Sequence, residues 1–293
     1  MVKEKVIINR FDHTAIYETF AKSGLMHGNP NGPFPEPKYV KYVRDQQNWD
    51  GITYFTDKQL HQAANITSKY KVAFLFEPRE FMPSIYKTIK VYESLYDCIL
   101  TYDEELLQRD PQKYFFSCAD MPSIDLENCK MHEKNKLVSM IYSNKKMLSG
   151  HKIRHSIADT IIPRINFAEK IDLFGYGAGV PLINKADGCC DYMFQIAIEN
   201  CKRKNYWADK ILDCFITGCI PIYWGAPNIG DWFDERGILF FDTPNELIRI
   251  LKSLSKEKYD SMFEYAQENY KLAKKYQNPD DNAYIKVKEI LGI

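Results

Sequence analysis

The sequence predicts an α/β fold built from two Rossmann-like domains, each with a mostly parallel sheet. The first observation is that apolar runs of strand length alternate with helical patterns through both halves of the chain. The second is a polar segment of weak periodicity, residues 120–135, which separates the two series and is predicted to be the linker. We therefore expect an N-terminal domain at residues 1–133 and a C-terminal domain at residues 134–293.

The individual elements are assigned from the period of their apolar residues and from the Gly and Pro residues that bound them. The predicted strands are residues 5–9, 52–56, 71–76, 97–101, 114–118, 136–142, 171–174, 192–198, 219–224 and 237–241. The predicted helices are residues 58–68, 84–95, 103–108, 150–161, 206–217, 244–254, 256–276 and 283–290.

Composition indicates a globular protein and argues against a nucleic-acid partner. The 293 residues suffice for two domains, and a hydrophobic content of 45% with 27% charged residues can bury a core. Lys+Arg and Asp+Glu both number 39, so the formal net charge is zero. A nucleic-acid-binding protein would usually carry a basic excess.

The cysteines and the hydropathy pattern predict a cytosolic protein. None of the eight cysteines forms a Cys-x-x-Cys pair, which argues against a zinc ribbon or a thioredoxin-like motif. Several cysteines lie in apolar runs, and we expect reduced thiols, which are typical of the cytosol. No apolar stretch approaches the ~18 residues of a membrane span, and the N-terminus lacks a signal-peptide core, so no transmembrane segment is expected.

Residues 191–227 form the clearest unit of the chain. Residues 192–198 and 219–224 are short apolar runs of strand length. Between them, a helical period begins near Tyr206 and ends at Gly218. A strand, a helix and a second strand in this order predict a right-handed crossover within a parallel sheet.

The loop and first helical turn of this unit carry the side chains of a candidate phosphate site. Ligands of open α/β sheets bind beyond the C-terminal ends of the strands, and a helix N-terminus there favours an anion. Lys210 is near enough to reach a diphosphate, and Asp209 is placed to accept hydrogen bonds from a ribose. A solvated basic loop that caps an ordinary crossover explains the same pattern equally well. The polar residues are Glu199, Asn200, Lys202, Arg203, Lys204, Tyr206, Asp209 and Lys210.

This segment resembles the donor-binding signature of glycosyltransferase family ten, the α1,3/α1,4-fucosyltransferases. In one place the chain departs from that signature: the Thr-Glu-Lys core of the family is here Ala208-Asp209-Lys210, with a shorter acid and no hydroxyl. The departure affects the geometry of donor binding, so the donor could carry a sugar other than fucose. The residues that match in order and spacing are Tyr192, Phe194, Glu199, Asn200, Tyr206, Lys210, Pro221 and Gly225.

The resemblance also gives meaning to residues that pattern alone leaves ambiguous. Glu77 ends the predicted strand 71–76, where a carboxylate is more often a cap or a surface charge; the resemblance implies the general base, with Glu80 as the fallback. Arg154, which would otherwise be a surface residue, corresponds to a phosphate-binding arginine. Ser143 and Asn144 match a Ser-Asn pair that the family places at the end of a strand.

The family implies a GT-B arrangement, in which two Rossmann-like domains face each other across a cleft. In transferases of this type the last helix, here near residues 283–290, often crosses back to the first domain. No Asp-x-Asp sequence occurs in the chain, whereas transferases that hold a diphosphate through a divalent metal usually need such paired carboxylates. We therefore expect no cofactor and no metal. Lys210, Arg154 and a helix N-terminus would neutralise the diphosphate instead.

The resemblance implies an inverting glycosyltransferase that moves L-fucose from GDP-fucose to a hydroxyl of a glycan acceptor, as an α1,3-fucosyltransferase does. Glu77 would deprotonate the acceptor, and Arg154 with Lys210 would stabilise the departing diphosphate. Asn200 and Tyr206 would position the phosphates and the nucleoside.

Three alternatives stay open. The same fold could use another nucleotide-sugar donor, which the Ala208-Asp209 departure makes conceivable. A glycan- or nucleotide-binding protein without catalysis is the second, although the presence of both Glu77 and Lys210 argues against it. A structural α/β protein with a chance motif is the third. The acceptor is not identified by the sequence, although the Gly- and Pro-rich loop at residues 23–37 is a candidate for lining its site.

Overall fold

The structure, a computed structural model, describes residues 4–11, 37–117, 121–165, 171–182 and 184–293. The chain divides into two units, one formed by residues 1–121 and 278–293 and the other by residues 122–277. Each unit contains one parallel sheet, so the α/β class predicted from the sequence is confirmed. The candidate acceptor loop at residues 23–37 lies, except for Pro37, outside the described residues.

The strands in chain order are β1 (Val6–Phe11), β2 (Val40–Arg44), β3 (Asn48–Thr56), β4 (Thr67–Leu75), β5 (Cys98–Thr101), β6 (Tyr114–Phe116), β7 (Lys136–Ile141), β8 (Ile171–Phe174), β9 (Tyr192–Ile198), β10 (Ile220–Trp224) and β11 (Leu239–Phe240). The α-helices are α1 (Pro83–Tyr92), α2 (Glu104–Arg109), α3 (Ser149–Ser156), α4 (Asp209–Thr217), α5 (Pro244–Ser253), α6 (Lys256–Ala273) and α7 (Pro279–Leu291).

The first unit is a six-stranded parallel sheet in the order β2-β1-β3-β4-β5-β6. Its inner strands are apolar on both faces, which is typical of a parallel sheet covered on both sides. On one face Phe55 and Ile99 pack with Ile89 of α1. On the other face Tyr54 packs in one cluster with Val287 of α7. The last helix therefore covers one face of the first sheet.

The boundary between the units falls earlier than the boundary predicted after residue 133. The predicted linker is bonded into the second unit: the backbone N–H of Ser123 donates to Asp213 at 2.6 Å, and the ammonium of Lys134 donates to the Thr217 carbonyl at 2.8 Å. The polar composition of the linker does not reveal these contacts, because both partners lie far away in sequence.

The second unit is a five-stranded parallel sheet in the order β11-β10-β9-β7-β8. β9 lies at its centre and is buried along its whole length. Gly218 ends α4 in the left-handed conformation at φ 76°, as predicted. The helix begins at Asp209 rather than at Tyr206, because Ala208 is extended and its N–H donates to the Glu199 carboxylate at 3.0 Å.

Other elements differ from their predicted form. The segment predicted as a helix at residues 58–68 contains a 3₁₀-helix at Asp57–Ala64 followed by the start of β4. The helix predicted at residues 150–161 is α3 followed by a π-helical turn at Ile157–Ile161. Strand β2, which the sequence did not predict, pairs in parallel with β1.

Candidate functional site

The second unit contains a cavity of about 420 Å³ at the C-terminal ends of its central strands. Such strand ends are where ligands of parallel α/β sheets bind. Four cationic and two acidic side chains line the cavity, which gives a formal excess of two positive charges and favours an anionic ligand. The polar and charged lining residues are Ser143, Lys145, His151, Arg154, Lys185, Gln195, Asn200, Asp209, Lys210 and Asp213.

The cavity brings together most of the donor-site residues predicted from the sequence. Ser143, Arg154, Asn200, Asp209 and Lys210 all line it, although they come from four different segments of the chain. The remaining three predicted donor residues are not among its lining residues: Glu199 is fully buried, Tyr206 is buried, and Asn144 is exposed.

Arg154 is buried and fixed to the end of β9. Its Nε and Nη2 atoms donate to the Ile198 carbonyl at 3.1 and 2.7 Å, and Nη2 also donates to Asn200 Oδ1 at 2.9 Å. These bonds use part of the five N–H donors of a guanidinium. Burial lowers the pKa of Arg154, and the nearby Glu199 carboxyl opposes that effect. The guanidinium is therefore held in one orientation against the cavity wall.

Lys210 belongs to a charge cluster in which Lys210 and Asp209 are half-buried and Glu199 is fully buried. Its Nζ lies 2.8 Å from Asp209 Oδ1 and 3.4 Å from Glu199 Oε2. Burial lowers the pKa of Lys210, but Asp209 and Glu199 outweigh it, so the pKa lies above its usual range. Burial raises the pKa of Glu199, and Lys210 opposes that rise. The lysine is therefore held cationic at the cavity.

Lys185 is a site residue that the sequence analysis missed. Its ammonium contacts Asp209 and lies 3.1 Å from Asp213 Oδ2. Asp209 therefore lies between Lys185 and Lys210, and both of its carboxylate oxygens accept hydrogen bonds from ammonium groups. The sequence analysis predicted that this carboxylate accepts hydrogen bonds from a ribose. Burial raises the pKa of Asp213 to about 6. Lys185 precedes β9 in a segment without periodicity, so only the fold brings it here.

His151 is another cavity residue that the sequence analysis missed. It is 4% exposed, and its Nδ1 accepts a hydrogen bond from the backbone N–H of Leu148 at 3.2 Å. This bond places the ring proton on Nε2. Burial, together with the nearby cations Arg154, Lys145 and Lys210, lowers the pKa of His151 to about 4. The ring is therefore a neutral donor at neutral pH.

Gly150 explains how α3 approaches the end of β9. Its backbone N–H donates to the Asn200 carbonyl at 3.0 Å. A Cβ atom at this position would lie 1.7 Å from the Glu199 carbonyl oxygen, far inside van der Waals contact. Only glycine lets the helix carry His151 and Arg154 this close to the strand end.

Glu77, the predicted base, lies in the first unit and follows the end of β4. Its side chain is half-buried, whereas the fallback Glu80 is exposed. The backbone carbonyl of Glu77 accepts a hydrogen bond from Tyr86 Oη at 2.8 Å. The main chain at Glu77 is therefore anchored, and its role as the base stays a prediction.

Three further features bear on the sequence predictions. Within the described ranges, no cluster of three or more His, Cys, Asp or Glu residues is arranged to hold a metal ion. Among the described helices, none combines the length and apolar character needed to cross a membrane. The cysteines that the structure describes are free, and the cytosolic location inferred from reduced thiols stays a prediction.

Solved structures share the fold of this chain. An α1,3-fucosyltransferase with GDP matches 100% of this chain and 92% of its own, with a TM-score of 0.60 and 16% identity. An α1,3-fucosyltransferase structure with GDP-fucose matches 92% of this chain and 84% of its own, with a TM-score of 0.56 and 16% identity. The apo structure of OtsA matches 98% of this chain and 99% of its own, with a TM-score of 0.58 and 8% identity. These likenesses confirm the predicted fold, which is that of the GT-B glycosyltransferases.

The family model for glycosyltransferase family 10 (fucosyltransferase), C-terminal part, matches residues 131–288, which include every residue named in the cavity. Because the match spans more than half of the chain, the protein belongs to glycosyltransferase family 10, as the signature around β9 and α4 predicted.

Individual relatives match over shorter segments. Over 72 residues, 38% are identical to α-(1,3)-fucosyltransferase B of Drosophila melanogaster, covering 23% of this chain and 16% of that protein. Over 92 residues, 27% are identical to α-(1,3)-fucosyltransferase FucT of Helicobacter pylori, covering 29% and 19%. Over 80 residues, 32% are identical to GDP-fucose protein O-fucosyltransferase 3 of Gallus gallus, covering 25% and 17%. The matches thus span less than a fifth of each of these relatives.

Proposed function

We propose that this family 10 protein is an inverting glycosyltransferase that transfers L-fucose from GDP-fucose to a hydroxyl of a glycan acceptor. The cationic cavity in the second unit carries the proposal, because it gathers Arg154, Lys185 and Lys210 around one space. The matching structures described as complexes with GDP and GDP-fucose support the choice of donor.

In this proposal the cavity binds the diphosphate of the donor. Lys210 and Arg154 stabilise the negative charge that develops on the diphosphate as the glycosidic bond breaks. Asp209 holds Lys185 and Lys210 side by side before the ligand arrives, so little reorganisation is needed at the reaction. His151, as a neutral N–H donor, adds a hydrogen bond without adding charge. Asn200, which lines the cavity, positions the phosphates.

The chemical step is a single displacement at the anomeric carbon. The Glu77 carboxylate accepts the proton of an acceptor hydroxyl, whose oxygen forms a bond to the anomeric carbon. The bond from that carbon to the diphosphate oxygen breaks at the same time, GDP leaves with the electron pair, and the configuration inverts. Glu77 is suited to this role because carboxylates at the C-terminal ends of parallel strands project towards the ligand crevice.

We further propose that the reaction needs no divalent metal. The formal excess of positive charge in the cavity supports this, since side-chain cations can neutralise a diphosphate directly. The sequence also lacks the Asp-x-Asp pair that commonly holds such a metal.

A second candidate keeps the fold and changes the donor. It is favoured by one observation: Asp209, which replaces the longer acid of the family signature, is engaged by Lys185 and Lys210. A carboxylate held in this way presents a different edge to the ribose and sugar than a glutamate would. The protein would then be a transferase for another nucleotide sugar.

A thermal-shift series with GDP, UDP, CMP and dTDP, each with and without excess EDTA, tests these proposals. A ligand that binds the folded state raises the melting temperature by mass action. We expect GDP alone to stabilise the protein and EDTA to leave that shift unchanged. A shift with UDP or dTDP instead would overturn the donor assignment, and a GDP shift abolished by EDTA would overturn metal independence. Stabilisation by GDP justifies screening glycan acceptors with GDP-fucose.

A further inference from the structure

The ends of the neighbouring strands β3 and β4 in the first unit carry two carboxyl groups, Asp57 and Glu77. Asp57 follows the last residue of β3 and is 6% exposed. Glu77 follows β4 by two residues and is the base in the function proposed above. The two strands are paired in parallel up to Thr56 and Phe74, so their ends lie side by side.

The carboxylate of Asp57 is bonded to the main chain that leads into Glu77. Its Oδ1 accepts hydrogen bonds from the backbone N–H of Phe76 at 3.0 Å and of Glu77 at 3.4 Å. On the other side, Tyr86 Oη donates to the Glu77 carbonyl at 2.8 Å. The side chain of Asp57, which directly follows β3, and that of Tyr86 in α1 therefore hold both peptide groups that flank the Glu77 Cα.

The segment after Glu77 is also anchored. Arg79 donates to the fully buried side chain of Asp103 through Nε at 3.1 Å and Nη2 at 2.7 Å. Its guanidinium lies 4.6 Å above the ring centre of Tyr86. Because the chain is held before and after Glu77, the direction in which the Glu77 side chain leaves the strand end is restricted.

Asp57 itself adopts an uncommon backbone conformation, with φ at 41°. Positive φ is unfavourable for residues with a Cβ atom, although Asp and Asn tolerate it better than most others. Such a conformation persists where surrounding contacts enforce it, and it often occurs at functional sites. The hydrogen bonds to Phe76 and Glu77 are contacts of that kind.

We propose that Asp57 is a positioning residue for Glu77, holding the main chain at the end of β4 so that the Glu77 carboxylate is presented in one orientation. This inference rests on the proposed function, because it assigns Asp57 to the base of that reaction. Asp57 acts through the Phe76 and Glu77 N–H groups and needs no contact of its own with the substrate.

The electrostatics around Asp57 give the proposal a pH signature. Burial, with the Glu77 carboxylate adding to its effect, raises the pKa of Asp57 to about 7, against the opposing effects of the Phe76 N–H, the Glu77 N–H and Lys58. Burial also raises the pKa of Tyr86, and the Asp57 charge adds to that rise. Either protonation state of Asp57 keeps an oxygen that accepts the two N–H bonds, so the hold on Glu77 persists while the neighbouring charge changes.

The experiment compares Asp57→Asn, Asp57→Gly and the control Asp45→Gly. Asn keeps an acceptor oxygen and tolerates positive φ, whereas Gly relieves the strain but removes the acceptor. Asp45 is exposed and has φ at 56°, so its change to Gly is the same substitution in the same backbone region away from Glu77. Amide hydrogen exchange at Phe76 and Glu77, the melting temperature, and kcat and KM with GDP-fucose are measured for each.

We expect Asp57→Asn to keep the amide protection and a kcat within about threefold of the parent, and to lose any inflection near pH 7 that the titration of Asp57 gives to the parent's pH–rate profile. Asp57→Gly should lose the protection and about 10–100-fold in kcat, with KM for GDP-fucose unchanged, because a misplaced base slows chemistry more than binding. Asp45→Gly should match the parent in every measurement.

Two results overturn the proposal. A full kcat for Asp57→Gly would show that the hydrogen bonds do not serve Glu77. An inactive Asp57→Asn with normal amide protection would make Asp57 itself the proton acceptor. If the parent transfers no sugar from any donor, the proposed function fails independently of this inference. In that case the hydrogen-exchange result still tests the contact between Asp57 and the main chain at Phe76 and Glu77. Slow exchange at these amides in Asp57→Gly would overturn the contact, and faster exchange in that variant alone would support it.

Discussion

The ammonium of Lys210 lies 2.8 Å from Asp209 Oδ1, although the two residues are adjacent in sequence. Both residues begin α4, and the Lys210 ammonium also lies 3.4 Å from Oε2 of the buried Glu199. Lys185 binds the opposite oxygen of Asp209. Asp209 and Lys210 of the family motif therefore form one charge cluster with Lys185, and this cluster lines the cavity.

Replacement of Lys210 tests the cavity as the diphosphate site. We expect Lys210→Gln to weaken GDP binding by about 10–100-fold, since a charge-assisted hydrogen bond contributes roughly 1.5–3 kcal/mol. Isothermal titration calorimetry measures this change. Lys152→Gln, an exposed residue on α3, is the control and should leave the affinity unchanged. Equal GDP affinity in Lys210→Gln and the parent would show that the diphosphate does not bind in this cavity.

Replacement of Glu77 separates catalysis from donor binding. We expect Glu77→Gln to lower kcat by at least about 100-fold, because general-base catalysis contributes roughly that much, while GDP affinity stays at the parent value. The donor cavity lies in the second unit and contains no atom of Glu77. Glu80→Gln is the matched control and should retain activity. Loss of GDP binding in Glu77→Gln would argue against the role of a base.

Gly150→Ala tests the close approach of α3 to β9. A Gly-to-Ala change inside an exposed helix normally stabilises it by up to about 1 kcal/mol. Here the new Cβ would meet the Glu199 carbonyl oxygen at 1.7 Å, so we expect a loss of about 1–3 kcal/mol in the free energy of unfolding. Urea unfolding measures the change, with Lys152→Ala on the same helix as the control. GDP affinity should also fall, since His151 and Arg154 follow on that helix.

The depressed pKa of His151 predicts a loss of stability in mild acid. The folded protein keeps the ring neutral down to a pKa of about 4, whereas the usual value is 6.5. Between these values the unfolded state binds more protons, so the free energy of unfolding falls as the pH drops from about 6.5 to about 4. Above pH 6.5 this contribution is constant.

His151→Asn should remove that part of the pH dependence, which amounts to at most about 3 kcal/mol. Comparison of urea midpoints from pH 4 to pH 8 for the variant and the parent isolates it from the effects of other groups. His61→Gln, at an exposed histidine, serves as the control. Parallel curves for His151→Asn and the parent would show that His151 has an ordinary pKa in the folded protein.

The elements that the sequence predicted best are those with a strong local pattern. Strand β9 was predicted with its observed bounds, because a short, mostly apolar run of strand length lies between the polar residues Asp191 and Glu199. Gly218 was predicted as the end of α4 because glycine is the residue that adopts positive φ most readily. Arg154, Asn200 and Lys210 were predicted together because the family signature keeps their order.

What the sequence by itself determined is the alternation of strands and helices, the α/β class and the family, since these depend on period, turn residues and motif spacing. The tertiary structure alone decided that the linker joins the second unit, that Lys185 and His151 enter the cavity, and that Asp57 holds the chain at Glu77. Each of these depends on a contact between segments that are distant in sequence, and such contacts leave no periodic trace in the chain that makes them.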